Sequence, residues 1–172
     1  MTAMVTMPPA TTERCRLLLQ RWRQDLRLTR REQGLLRGEL TLLDRQLQRL
    51  EHNVLRLAVF GRVGVGKSSL INALVGQRLL ETDVAHGSTR RQQAVTWPLK
   101  LDGLQRVELI DTPGIDEIDA AGRTRLATRV AMGVDLVLLV IDSDLTRCDR
   151  DALETLQASG KPVRLVLNRS DR

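Results

Sequence analysis

Cysteine is scarce in this sequence, and so are long apolar runs. The two cysteines, Cys15 and Cys148, lie far apart without metal-ligand spacing, which argues against a disulfide framework or a zinc site and fits a reducing cytoplasm. The longest apolar run, residues 136–141, is too short to span a bilayer. The opening segment lacks a basic region followed by an apolar stretch, so a secretory signal is not indicated. We expect a cytoplasmic globular protein with a disordered tail over residues 1–11.

Lysine is also scarce, and arginine carries nearly all of the positive charge. Of 27 basic residues only Lys67, Lys100 and Lys161 are lysines, and the formal net charge is +6. Residues 1–53 hold ten arginines against six acidic residues, so most of the surplus lies there. Arginines beside an apolar helix seam usually form its solvated face; RNA or an anionic membrane surface is the alternative partner.

Residues 12–53 contain no proline and are predicted to form a helical extension. From Leu19 to Leu50 ten positions recur at alternating steps of three and four, which is the a/d pattern of a heptad repeat, and all but Thr29 and Gln33 are apolar. The pattern predicts either a coiled coil with a second copy or a partner protein, or helices that pack on the following domain. Gly34 and Gly38 weaken the middle of the segment and favour a break into a helical hairpin.

The most informative stretch covers residues 54–70. A near-continuous apolar run ends at Phe60 and predicts a buried strand, and residues 68–80 have the spacing of a helix. The loop between them matches GxxxxGKS at Gly61, Gly66, Lys67 and Ser68.

A loop of this kind binds phosphate through its backbone. Glycines let successive N–H groups point at phosphate oxygens, and the positive end of the following helix faces the same anion. We expect Lys67 to reach the β- and γ-phosphates and the Ser68 hydroxyl to bind Mg²⁺.

A second motif, Asp-Thr-Pro-Gly, ends a predicted strand over residues 104–110. An aspartate at the carboxyl end of a strand can hold Mg²⁺, which makes Asp111 a metal candidate. Gly114 can bring its N–H close to a γ-phosphate because no side chain obstructs it. Thr89 lies midway between Lys67 and Asp111 in the chain. Its hydroxyl is the candidate second metal ligand, which would make residues 81–93 a switch.

Strands and helices alternate through the rest of the chain. Residues 94–101 and 104–110 are predicted strands joined by a tight hairpin at Asp102 and Gly103. The further predictions are strands at 135–142 and 163–167 and helices at 123–132 and 146–158. This order predicts an α/β fold with a doubly wound, mostly parallel sheet and one antiparallel strand, with ligands at the carboxyl ends of the strands.

The last motif, residues 168–171, follows the final predicted strand. The amide of Asn168 and the carboxylate of Asp171 can jointly read guanine, since the carboxylate accepts from a ring N–H and an exocyclic amine that adenine does not present. The planar guanidinium of Arg169 can lie over the base.

Together these motifs resemble the Era, TrmE and EngA group of translation-factor-class P-loop GTPases over about residues 55–171. The resemblance implies a GTP-binding domain at residues 54–172 that binds GTP or GDP with Mg²⁺ and acts as a molecular switch with slow GTP hydrolysis. It implies catalytic roles for Lys67 and Thr89 and metal binding by Ser68, Thr89 and Asp111. The implied nucleotide-binding residues are Gly61, Arg62, Val63, Gly64, Val65, Gly66, Lys67, Ser68, Ser69, Asp111, Gly114, Asn168, Arg169 and Asp171.

The sequence departs from this group at several positions. Gly64 stands where potassium-activated members have Asn, Ile115 stands where Ras-like proteins place a water-orienting Gln, and Arg169 replaces the usual Lys. No residue is identified as positioning the attacking water, although Asp116 and Arg90 are candidates.

The sequence also ends one residue after Asp171, before the group's last base-contacting loop, strand and helix. Residues 163–167 would then form an open apolar edge, so we expect a fragment or a cover formed by the N-terminal helices. The alternative function is a non-catalytic helical interaction module with a degenerate nucleotide-binding domain.

Overall fold

The computed structural model describes residues 9–81 and 92–170, with side chains from residue 13 onward. The chain forms two compact units. One takes the chain up to Val54 together with Leu101–Gln105, and the other takes Leu55–Lys100 and the chain from Arg106 onward. In chain order the elements are α1 (Pro9–Asp25), α2 (Arg30–Leu35), α3 (Arg37–Glu51), β1 (Val54–Phe60), α4 (Lys67–Val75), β2 (Gln93–Trp97), β3 (Arg106–Asp111), α5 (Ala120–Gly133), β4 (Leu136–Ile141), α6 (Arg147–Ala158) and β5 (Val163–Leu167).

The first unit is helical, and α1 packs against α3 within it. Arg23 of α1 pairs with Asp44 of α3 through two contacts, Nε to Oδ1 at 2.8 Å and Nη2 to Oδ2 at 3.1 Å. Gln20 of α1 also donates a hydrogen bond to Glu51 of α3. Leu47 is the one buried hydrophobic residue in the described part of these three helices.

The predicted heptad seam does not run along one continuous helix. The chain leaves helical structure over residues 26–29 and again at Leu36. Thr29 and Glu32 form a capping box that starts α2, which satisfies backbone N–H groups and makes a new helix start favourable here. Gly34 lies inside α2 and Gly38 inside α3. The interruption at Leu36 therefore falls between the two glycines, and the interruption over residues 26–29 precedes both of them.

The second unit is built on a five-stranded sheet in the order β2-β3-β1-β4-β5. β4 pairs parallel with β1 on one side and β5 on the other, and β2 pairs antiparallel with β3. The sheet is therefore mostly parallel with one antiparallel pair, which confirms the predicted fold class. β1 and β4 lie in the interior of the sheet, where a parallel strand is covered on both of its faces. Their sequences are accordingly apolar throughout their buried halves.

The core lies between the sheet and its helices. Phe60 of β1 and Leu139 of β4 face each other in register and are fully buried. Ala127 of α5 and Leu156 of α6 are fully buried in the same cluster. This packing fixes the ends of β1, β3, β4 and β5, where the loops of interest begin.

Three predicted elements are shorter than expected. The strands over 94–101 and 104–110 meet as β2 and β3 over Gln93–Trp97 and Arg106–Asp111, so their connection is longer than a two-residue hairpin. Pro98 follows Trp97 and has no N–H to donate to a ladder, which ends the strand. The helix predicted over 68–80 ends at Val75 because Gly76 takes a left-handed conformation (φ 73°) at its carboxyl end.

β5 forms one end of the sheet in the described part of the chain. Leu165 and Leu167 on this strand are 51% and 58% exposed. β5 is thus an edge strand that carries exposed apolar side chains. Among the described residues, no helix has both the length and the hydrophobicity needed to cross a bilayer.

Candidate functional site

The loop between β1 and α4 owes its course to glycine. Gly66 begins α4 from a left-handed conformation with φ 91°, which L side chains rarely adopt. A Cβ at this position would also overlap the side-chain amide nitrogen of Asn168. Glycine is therefore required both by the backbone and by the close approach of the loop after β5. The first turn of α4 places Ser68 beside the loop, and Ser69 follows on the exposed side.

Lys67 is buried beneath this loop. Its Nζ donates to the carbonyl oxygen of Arg62 at 2.7 Å, and the residue is only 7% exposed. Burial lowers the pKa of Lys67 because desolvation disfavours the charged form. The carboxylates of Asp111, Asp116 and Glu117 act on this pKa in the opposite direction. The ammonium group of Lys67 thus lies against the backbone of the glycine loop, and acidic side chains lie nearby.

Ser68 and Asp111 meet at the carboxyl end of β3. The Ser68 hydroxyl donates to Oδ2 of Asp111 at 2.7 Å, and Asp111 is 1% exposed. The structure thus brings together two of the three predicted metal ligands. A hydroxyl and one carboxylate are the oxygen donors that Mg²⁺ accepts when a substrate phosphate and waters complete its coordination. No cluster of three or more His, Cys, Asp or Glu side chains suited to a metal occurs in residues 9–81 and 92–170.

The Asp-Thr-Pro-Gly segment lies directly on the glycine loop. Ile115 donates its backbone N–H to the carbonyl of Gly61 at 3.3 Å, and Asp116 Oδ1 accepts from the backbone N–H of Val63 at 2.7 Å. A Cβ on Gly114 would overlap the side chain and backbone nitrogen of Val63, so only glycine fits at this contact.

Thr112 fastens the start of the same segment to the sheet. Its hydroxyl donates to the carbonyl of Val59 in β1 at 2.8 Å, and the residue is fully buried. The sequence prediction gave Thr112 no role, because its partner lies far away in the chain and no local pattern marks it.

The loop after β5 reaches the glycine loop through Asn168. Its side-chain Nδ2 donates to the carbonyl of Val65 at 2.8 Å, and its backbone N–H donates to Ile141 at 2.7 Å. Asn168 therefore joins the predicted base-reading loop to the predicted phosphate loop. The guanine contact predicted for the same side chain stays a prediction.

Arg169 adopts a positive φ of 55° and pairs through Nη1 with Oδ2 of Asp142 at 3.1 Å. Asp142 follows β4 and also pairs with Arg62 of the glycine loop, Oδ1 to Nη2 at 3.2 Å. Sequence reasoning did not assign a role to Asp142. One sequence signal could have indicated this role. Asp142 is the first charged residue after an apolar strand, at the edge of the sheet where the other motifs gather.

Two predicted site residues, Thr89 and Asp171, lie outside the described residues, as does the candidate Arg90. The other predicted residues gather at the ends of β1, β3 and β5. Gly64 lies exposed in the loop, and Val65 is buried beneath it.

Comparison with known proteins gives relatives for this site. The family model described as 50S ribosome-binding GTPase matches residues 56–169. GTPase Der of Rhizobium johnstonii is 43% identical over 121 residues, which are 67% of this chain and 25% of that protein. GTPase Der of Bartonella henselae is 41% identical over 125 residues, with 68% and 25% covered. The chain spans about a quarter of the length of the curated relatives it matches.

A solved structure of Era in complex with MgGDPNP and a segment of 16S ribosomal RNA is also similar to this chain. Its TM-score is 0.57 at 26% sequence identity, and the match covers 70% of this chain and 42% of the Era chain. The match to the family model includes all the described loops of the site, from the glycine loop to Arg169. This chain belongs to the 50S ribosome-binding GTPase family.

Proposed function

We propose that this chain binds GTP and GDP with Mg²⁺ and hydrolyses GTP slowly as a molecular switch. One observation carries the proposal: two segments distant in the chain, residues 111–116 and the loop after β5, reach the glycine loop and the first turn of α4 through direct hydrogen bonds. Asp116 contacts Val63, Asn168 contacts Val65, and Ser68 contacts Asp111. The family match and the guanine nucleotide in the Era complex support guanosine phosphates as the ligand.

The chemistry of each residue indicates which part of the bound nucleotide or metal it would contact. The N–H groups of the glycine loop and the start of α4 suit an anion, and Lys67 adds a positive charge that would offset charge developing on the phosphates. Ser68 and Asp111 would hold Mg²⁺ with Thr89, and the ion would supply charge stabilisation on the phosphates when bound. Asn168 and Asp171 would select guanine.

The contact between Asp116 and the loop bears on the switch. A carboxylate accepts from the Val63 N–H at 2.7 Å, so a negative group already occupies one donor of the phosphate loop. A γ-phosphate bound beside it would repel this carboxylate. The segment from Asp111 to Asp116 would therefore take different positions in the GTP-bound and GDP-bound states.

Nucleotide binding by Lys67→Ala tests the proposal. We expect this variant to lose affinity for fluorescent GDP by more than about 100-fold, since a buried charge that contacts phosphate is removed. Lys100→Ala is the matched control, because Lys100 is an exposed lysine and its loss changes the net charge equally. Titration with GTP, ATP and magnesium-free buffer then examines base and metal dependence. Retained affinity in Lys67→Ala would contradict the phosphate-loop assignment.

Turnover is measured separately. Single-turnover conversion of GTP to GDP should be slow and should require Mg²⁺, because no described side chain is identified as positioning water. GTP that binds but is never hydrolysed would leave a binding module without an enzymatic activity.

We also propose RNA as a partner of the helical unit. The exposed arginines Arg21, Arg27, Arg30, Arg31 and Arg37 lie on α1 to α3 and the segments between them. The Era complex contains ribosomal RNA, which supports this class of partner.

Binding of a labelled RNA hairpin at increasing salt tests this second proposal. Affinity should fall steeply with salt and should be weaker in Arg30→Gln/Arg31→Gln. The double variant Arg147→Gln/Arg150→Gln removes two exposed arginines of α6 and is the control. Equal affinity in both double variants would contradict the proposed surface.

A further inference from the structure

Two arginines and two aspartates form one charged cluster at the sheet edge, defined here as the Arg62 cluster. Arg62 comes from the glycine loop, Asp142 from the end of β4, Asp149 from the first turn of α6, and Arg169 from the loop after β5. Three stretches that are far apart in the chain, around Arg62, residues 142–149 and Arg169, therefore form a single set of ion pairs.

Asp142 lies between the two arginines and uses a different oxygen for each. Its Oδ1 accepts from Nη2 of Arg62 at 3.2 Å, and its Oδ2 accepts from Nη1 of Arg169 at 3.1 Å. The Asp142 side chain is 22% exposed, so water screens these pairs only in part. The hydroxyl of Ser143 lies 3.3 Å from the same Nη2 of Arg62. One carboxylate thus connects the glycine loop to the loop after β5.

Asp149 fixes Arg62 from the other side. Its Oδ2 accepts from Arg62 Nε at 3.2 Å and from the backbone N–H and hydroxyl of Thr146 at 3.0 and 2.7 Å. Asp149 is fully buried, and a buried carboxylate is costly unless a cation and hydrogen bonds accompany it. The guanidinium of Arg62 is thereby held between α6 and the end of β4.

The backbone of the loop after β5 also depends on this arrangement. Arg169 has φ 55°, a conformation that side-chain-bearing residues seldom adopt without local support. The pair with Asp142 and the neighbouring bond from Asn168 to Val65 supply that support.

We propose that Asp142 is a positioning residue that couples the base-reading loop to the phosphate loop. The inference rests on the proposed function, because it assigns the two loops to the two ends of a guanine nucleotide. Loss of the Asp142 carboxylate removes the ion-pair partner of Arg169 and one of the two carboxylates that hold Arg62, so both ends of the nucleotide are held less well. Arginine is needed at position 62, since a planar fork meets Asp142 and Asp149 at once and a lysine ammonium does not.

Nucleotide binding by Asp142→Asn in the 172-residue chain tests the coupling. The substitution keeps the size of the side chain and removes its charge. We expect an increase of about tenfold in the dissociation constant for GDP, and a smaller preference for GDP over ADP. Asp144→Asn is the matched control, because it removes the same charge from an exposed residue nearby.

The double variant Asp142→Asn/Arg169→Gln identifies the path of the effect. If Asp142 acts through Arg169, Arg169→Gln weakens GDP binding in the parent chain but adds little when Asp142 is already changed. Additive effects overturn the proposal. Equal weakening of GDP and ADP together with a lowered unfolding temperature also overturns it, because that pattern reports a structural role alone.

The outcomes separate this inference from the proposed function. A parent chain that binds no guanine nucleotide overturns both. A parent chain that binds GDP, with Asp142→Asn indistinguishable from Asp144→Asn, overturns the coupling only. If Asp142→Asn fails to fold, Arg169→Gln alone replaces it, and an unchanged rate of GDP release from that variant contradicts the coupling.

Discussion

The two units of this protein differ in how their apolar residues are used. In the second unit, Phe60 and Leu139 are fully buried within a continuous core. In the described helical unit, by contrast, Leu18, Trp22 and Leu35 are 67%, 54% and 73% exposed. A buried pattern is tied to one packing arrangement, whereas an exposed apolar stripe on a helix is compatible with several partners. This difference explains why the sequence pattern of the second unit predicted one fold, whereas the heptad seam of the helical unit was compatible with several packing partners.

Polar contacts follow the same division. Thr112 and Val59 form a buried bond between segments far apart in the chain. The pair of Arg23 and Asp44 links two helices at an exposed surface. Water competes for the second kind of contact, so equal geometry corresponds to unequal stabilisation. The predictions below test this contrast.

Leu139→Ala should have the largest effect. The side chain is fully buried at the centre of β4, and its truncation leaves a cavity that costs about 2–5 kcal/mol of unfolding free energy. Leu18→Ala makes the same chemical change at an exposed site of α1 and should cost less than about 0.5 kcal/mol. Urea unfolding of both variants measures the difference. Similar losses would show that the helical unit hides its apolar face in solution.

Thr112→Val should have the next largest effect. Valine keeps the shape of threonine but leaves the buried carbonyl of Val59 without its donor, which costs about 1–3 kcal/mol. Thr41→Val is the control, because the Thr41 hydroxyl donates to the carbonyl of Arg37 on an exposed helix face where water can replace it. Thermal unfolding compares them, and a greater loss for Thr41→Val would contradict the contrast.

The two capping boxes offer a closer comparison. Thr146→Ala removes the cap of α6 and a partner of the buried Asp149, so we expect a loss of about 1–2 kcal/mol. Thr29→Ala removes the cap of the short, exposed α2 and should cost about 0.5 kcal/mol. Chemical denaturation with a helix signal measures both. Equal losses would mean that burial adds nothing to a cap.

Arg23→Gln should have the smallest effect. The pair with Asp44 is well formed but exposed, and such pairs contribute about 0–1 kcal/mol. The loss should shrink further when salt is raised to about 1 M, since screening already weakens the pair in the parent chain. Unfolding at low and high salt checks this. A loss that grows with salt would contradict a surface electrostatic origin.

Much of the second unit could be predicted from local pattern. The apolar runs located β4 and β5, and the GxxxxGKS pattern located the turn from β1 into α4. The errors fell where a single residue overrides a pattern: Pro98 shortened β2, and Gly76 ended α4 before the apolar spacing did. In the first unit, the capping box at Thr29 interrupted a heptad seam that periodicity alone extended through it.

The site was predicted in its parts, but its connections were not. Lys67, Ser68 and Asp111 could be predicted as site residues because each stands in a motif whose chemistry is known, and their roles stay predictions. The bond from Asn168 to Val65 joins two such motifs, and neither motif alone indicates the contact.

The sequence by itself determined that a glycine loop would lie between a strand and a helix. The conformations of Gly61 to Gly66 and the start of α4 depend on residues within a few positions of one another, so a short stretch carries the necessary information. Only the tertiary structure decided that ion pairs would connect four residues, Arg62, Asp142, Asp149 and Arg169. Ion pairs depend on distance in space, and the order of strands in the sheet, with β1 beside β4 and β4 beside β5, sets that distance.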